Sequence, residues 1–161
     1  MSSPQVPSIP LDYSVVPFEP MEERWNEYSF SDGTVIRFRV VLTRITRKKD
    51  ALLGQYDVTS SNLMAVVAPP TERGQPNYSP MTPEEIQNAD KFEVKAITNE
   101  EHWNVYRLVP TDEIIKIKYV AAAFFRLKGK FDQFGEPVYI VAGGPLIAPQ
   151  PKMGKQSRAT P

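Results

Sequence analysis

One heptapeptide is written twice in this chain. Glu-Glu-Arg-Trp-Asn-Glu-Tyr stands at residues 22–28 and Glu-Glu-His-Trp-Asn-Val-Tyr at residues 100–106, an offset of 78 with five of seven positions the same. Both tryptophans of the chain lie in these copies. Similarity continues downstream: Val35-Ile36-Arg37-Phe38-Arg39 matches Ile114-Ile115-Lys116-Ile117-Lys118 after one extra residue, and residues 56–65 parallel residues 139–148. Internal similarity restricts the fold before any other signal. Two copies are too few for a solenoid, so a duplicated β unit with pseudo-two-fold symmetry is expected.

The period within each copy is two. Ile36, Phe38, Val40 and Leu42 share one face, and Arg37 and Arg39 lie on the other. Ile115, Ile117 and Tyr119 likewise oppose Lys116 and Lys118. Alternation of this kind marks half-buried strands. Ser31-Asp32-Gly33 between two such runs is a hairpin turn, with Gly33 able to take positive φ. A three-residue loop pairs Phe30 with Thr34, Tyr28 with Ile36, Asn26 with Phe38, Glu27 with Arg37 and Trp25 with Arg39. A loop one residue longer pairs Tyr106 with Ile115, Val105 with Lys116 and Trp103 with Lys118. A two-residue loop would set Tyr28 opposite Arg37 and break the face pattern. Asn26 and Asn104 then point inward, where a buried amide needs hydrogen-bond partners.

Further strands are expected at Tyr56–Ser60 and Leu63–Val67, and at Val138–Ala142 and Leu146–Ala148. The small residues between them suggest a bend or bulge. Residues 132–137 read as another turn. Thr82 as N-cap and Pro83 at the first helical position predict one short helix over 82–90. Residues 91–98 read as a strand. Thr98-Asn99-Glu100-Glu101 also fits a capping box, which would open a helix at the second heptapeptide; the strand is the preferred reading.

The fold expected is mainly β, with internally duplicated small sandwich or barrel-like units and one connector helix. The predicted organisation is a proline-rich flexible arm at 1–21 and a first unit at 22–70. A connector at 71–99, a second unit at 100–150 and a flexible tail at 151–161 complete it. Sixteen prolines support this reading, five of them in residues 1–20 and five in 69–83, because proline favours extended backbone and donates no amide hydrogen. Ile9, Leu11, Tyr13, Val15, Val16 and Phe18 would let the arm dock along a groove.

Composition excludes several functions. The chain has no cysteine and one histidine, so disulfides, thiolate catalysis, cysteine-bound zinc and paired-histidine metal sites cannot be built. No cofactor or metal is expected. Nineteen basic residues balance nineteen acidic ones, so net charge indicates no partner. The first twenty residues lack the basic and apolar regions of a secretory signal, and no apolar run approaches a membrane span. A cytoplasmic location with no membrane partner is expected.

Four motifs carry competing readings. Residues 34–49 and 114–131 hold eleven of the nineteen cations and no acid. With Trp25 and Trp103 beside Arg37, Arg39, Lys116 and Lys118, they form a candidate interaction surface. Nucleic acid is one partner it suits, through phosphate contacts and base stacking. The plainer reading is a solvent-facing sheet whose tryptophans lie against its own cations. Gly143-Gly144 lacks the lysine and hydroxyl of a phosphate loop, and Pro145 removes an amide, so a bend is expected there. His102 stands where the first copy has Arg24 and reads as a surface residue. Glu22-Glu23 and Glu100-Glu101 point to alternate faces and read as solvated edge charges. The function favoured is a non-catalytic interaction or assembly protein, an accessory subunit or a virion-type structural component. It would meet a protein partner or associate with itself through sheet edges and a docking arm. A nucleic-acid-binding β module is the alternative.

Overall fold

The computed structural model describes residues 12–52 and 55–150. Residues 1–11 of the expected arm, and all of the tail at 151–161, lie outside these.

Among the described residues ten strands form two antiparallel sheets, joined by a connector that carries one α-helix. The first half supplies β1 (Tyr13–Val15), β2 (Phe18–Glu22), β3 (Asn26–Ser29), β4 (Val35–Lys48) and β5 (Asp57–Val67). The connector holds a 3-10 turn at Pro70–Glu72 and α1 (Pro83–Asn88). The second half supplies β6 (Lys91–Val94), β7 (Thr98–Glu100), β8 (Asn104–Leu108), β9 (Ile114–Phe131) and β10 (Pro137–Gln150).

The expected hairpin registers are present. Asn26 pairs with Phe38, Glu27 with Arg37 and Tyr28 with Ile36. The Phe30 amide donates to the Thr34 carbonyl at 2.9 Å and closes the three-residue loop. Gly33 has φ of 91°, and the Asp32 carboxylate accepts the Thr34 amide at 2.8 Å. In the second hairpin Val105 pairs with Lys116 and Tyr106 with Ile115. Its closing bond runs from the Leu108 amide to the Glu113 carbonyl at 2.8 Å, so this loop is one residue longer.

Each hairpin borrows a strand from the other half of the chain. The first sheet has β5 along one side of β4, with β3 and then β1 along the other, and β7 outside β3. The second has β10 along one side of β9, with β8 and then β6 along the other, and β2 outside β8. The buried faces meet in one core containing Tyr28, Ile36, Phe38, Tyr106, Ile115 and Ile117. Phe38 and Tyr119 stack across it at 4.1 Å between ring centres. Each fully buried large side chain of this set contributes about 1.5–3 kcal/mol relative to exposure.

Several expectations change. Among the described residues the sheets are not closed into a barrel: β5 and β10 each pair along one side only. Part of the supposed arm is sheet. Tyr13–Val15 and Phe18–Glu22 are strands, and Val16 is buried. Edge strands tolerate proline where its nitrogen faces away from the neighbour, which fits Pro20 opposite Tyr106 in β2. Residues 98–100 are strand β7, and the alternative helix does not form. Residues 57–67 form one strand rather than two, because the irregularity sits in β4 at Thr43. Residues 137–150 are also one strand, and the corresponding extra residue is Ala122 of β9. Gly143 lies at that shift, where an added Cβ would collide with the Val120 carbonyl oxygen. The connector helix forms as expected, with the Thr82 hydroxyl accepting the Glu85 amide at 3.2 Å. Among the described residues no helix is long and apolar enough to cross a membrane.

Candidate interaction surface and the seam behind it

Strand alternation decides where the predicted surface residues go. Arg37 and Arg39 alternate with buried Ile36, Phe38 and Val40, so they lie on the outer face of the first sheet. Their guanidinium carbons sit 4.8 Å and 5.8 Å from the centre of the Trp25 ring. Lys116 and Lys118 alternate with Ile115, Ile117 and Tyr119 on the outer face of the second sheet. The Lys118 ammonium lies 4.9 Å from the Trp103 ring centre. Each tryptophan is therefore half-buried under its own cation, a contact of about 0.5–1 kcal/mol at such a site.

The structure does not bring the two clusters together. Because the sheets pack through their buried faces, Trp25 and Trp103 occupy opposite outer faces. Their charge balance also differs. Arg39 forms an ion pair with Glu23, whereas Arg37, Lys116 and Lys118 have no carboxylate partner among the described residues. Arg126, a member of the second cationic run, is held by Glu72 at 2.7 Å and Asp32 at 3.5 Å.

Behind these faces, residues of the heptapeptides join the two halves. The Asn26 amide nitrogen donates to the Tyr119 carbonyl at 3.0 Å, and its oxygen accepts the His102 amide at 2.9 Å. Asn104 mirrors this, donating to the Val40 carbonyl at 3.0 Å and accepting the Arg24 amide at 2.7 Å. Both asparagines are buried, as their register requires. The tyrosines follow the same rule. The Tyr28 hydroxyl donates to Glu101 at 2.8 Å, and the Tyr106 hydroxyl donates to Glu23 at 2.8 Å.

Glu23 and Glu101 are thus not solvated edge charges. Glu101 also accepts the Ala121 amide at 2.7 Å, while Tyr106 accepts the Leu42 amide at 3.3 Å. Burial first, then the bond to Glu101, pushes the Tyr28 hydroxyl well above its ordinary range. Burial also raises Tyr106, although the Leu42 amide and the Arg39 charge oppose the shift. His102 contributes its backbone to this seam; no role for its ring follows from these contacts.

Sequence reasoning located the tryptophans, the cations and the inward asparagines. It missed the carboxylates, because their partners come from a strand in the other half of the chain. It read β5 as two strands and did not single it out as a surface, for which its uncharged run from Val58 to Val67 is the available signal. No known protein family matches the chain, no characterised protein matches its sequence, and no solved structure matches its fold.

Proposed function

We propose that this chain is a non-catalytic interaction or assembly protein built from an internally duplicated β unit and acting in the cytoplasm. The duplication is supported by register as well as by sequence: Tyr13 pairs with Lys48 as Lys91 pairs with Leu127. On this reading the repeat begins in the former arm, near Tyr13, and recurs near Lys91.

The assembly role rests on one observation. The edge strand β5 is eleven residues long, pairs only with β4 among the described residues, and has no charge after Asp57. Soluble proteins ordinarily shorten, charge or cover such an edge, so a long bare one suits addition of a partner strand. Sedimentation over a range of concentrations, together with affinity capture by tagged protein, tests this. A mass above the monomer or one stoichiometric partner is expected. A strict monomer with no specific partner overturns it.

The nucleic-acid reading has narrower support, in the unpaired cations Arg37, Lys116 and Lys118. It predicts binding that weakens steeply with salt and drops on Trp103→Ala or Trp25→Ala. No binding to single- or double-stranded nucleic acid at low salt removes it.

A further inference from the structure

Two long strands end the sheets, β5 and β10, and hydrogen-bond alternation shows which of their residues face outward. In an antiparallel ladder a residue directs its amide and carbonyl to the same neighbour, and successive residues alternate. The Phe30–Thr34 bond commits Thr34, Ile36 and Phe38 to β3. Val35, Arg37, Arg39 and Val41 therefore bond to Val67, Ala65, Leu63 and Ser61 of β5. Ser60, Asn62, Met64 and Val66 are left pointing away from the sheet. Val58 joins them, because its partner Ile45 accepts the Val16 amide from the other side. Among the described residues no hydrogen bond reaches these five backbone positions.

The same reasoning applied to β10 gives a different edge. The Leu108–Glu113 bond commits Ile115 and Ile117 to β8, and the Tyr119 carbonyl, next in the alternation, is taken by the Asn26 side chain. Their β10 partners Pro149, Ile147 and Pro145 then face outward. Two of these three have no amide hydrogen to offer. By register Pro145 occupies in β10 the place that Asn62 occupies in β5. One edge is closed by proline at the position where the other is open.

We infer that β5 pairs antiparallel with β5 of a second copy of this chain, about a two-fold axis at Asn62; this rests on the assembly reading above. The axis sets Asn62 against Asn62, Ser60 against Met64 and Val58 against Val66. Every outward amide and carbonyl is then used, in about ten backbone hydrogen bonds. An axis at Ser61 would set Val66 opposite Tyr56, before the partner strand begins. An axis at Leu63 would set Val58 opposite Ala68, past its end. Axes falling between residues would oppose outward groups to inward ones. The only charge on the strand, Asp57, falls opposite Val67, so no like charges meet. Beside the edge lies a groove of about 270 Å³ lined by Met64, Val66, Phe134, Val138 and Tyr139. Met64 and Phe134 are 43% and 72% exposed there.

The test uses the absence of cysteine from the chain. Asn62→Cys places two thiols at directly opposed residues, about 5.5 Å apart between Cα atoms, within the roughly 4.4–6.8 Å that a disulfide spans. Mild oxidation is expected to give a covalent dimer, whereas Pro145→Cys under the same conditions stays monomeric on a non-reducing gel. Asn62→Pro removes the central amide, and Asn62→Lys sets like charges at the axis. Either is expected to weaken the dimer at least tenfold by sedimentation, with the circular dichroism spectrum unchanged. A dimeric wild type that ignores all three Asn62 substitutions overturns the β5 pairing and leaves the assembly reading standing. A strictly monomeric wild type also overturns the pairing, and the capture experiment alone then decides the broader reading.

Discussion

Asn26 and Asn104 stand 78 residues apart and make the same two bonds in opposite directions across the core. Asn62 and Pro145 occupy matching places on the outer strands and have opposite effects on the edge. The halves agree where they touch each other and differ where they face outward. At the seam each residue must satisfy a buried group in the other half, and a change on one side leaves an orphan on the other. At the edges no internal partner among the described residues restrains the choice, so one half can carry proline while the other stays open.

The first way to break this comparison is at the seam. Asn26→Ala strands the His102 amide and the Tyr119 carbonyl, and Asn104→Ala strands the Arg24 amide and the Val40 carbonyl. Each is expected to cost about 3 kcal/mol in urea unfolding, at roughly 1–3 kcal/mol per buried group left unpaired. Similar losses support equivalence, and a neutral result for either asparagine ends it.

Tyr28→Phe and Tyr106→Phe should each cost about 1 kcal/mol near neutral pH. Their alkaline behaviour separates them. A hydroxyl whose folded pKa lies above its unfolded value of 10.0 stays protonated in the native state while the unfolded chain ionises. Its stabilising contribution is complete below the unfolded value and is lost as pH rises from there through the folded value. Tyr28 is raised by both burial and Glu101, whereas the Leu42 amide and Arg39 oppose the rise at Tyr106. Tyr28→Phe should therefore flatten the loss of stability above pH 10 more than Tyr106→Phe, read from unfolding curves across that range. An equal effect would show that the two carboxylates act alike.

On the outer faces the effects shrink. Lys118→Met keeps the stem over Trp103 and removes the charge, so about 0.5 kcal/mol is expected. Arg37→Met over Trp25 should cost less, because Arg39 also covers that ring. Smallest in stability is Pro145→Asn, within about 0.5 kcal/mol in either direction. It nevertheless sharpens the comparison most, because it restores a donor to the closed edge. Light scattering should then detect species larger than those of the wild type; an unchanged mass would mean that other features of β10 keep that edge closed.

Much of this was legible in order along the chain. The Trp-Asn-x-Tyr spacing and the Asp32-Gly33 turn determine which residues of β3 face inward, because one slip would expose Tyr28 and Ile36. Thr82 and Pro83 mark the connector helix through purely local chemistry. The strand exchange was not legible. Phe18–Glu22 pairs with residues 105–108 and Thr98–Glu100 with residues 27–29, and local periodicity does not record so distant a choice of neighbour. The prolines of the first twenty residues suggested a loose arm because an edge strand accepts proline as readily as a flexible segment does. Glu23 and Glu101 looked like surface charges for the same reason: the tyrosines that bury them belong to the opposite half.

The crossing of β2 and β7 has a mechanical consequence. A protease that cut the connector between Arg73 and Met81 would produce two fragments that remain interlocked. To separate, the first must withdraw β2 from beside β8, and the second must withdraw β7 from beside β3. Either fragment made alone would lack an edge strand and the partners of its asparagine, and would find both only in the other.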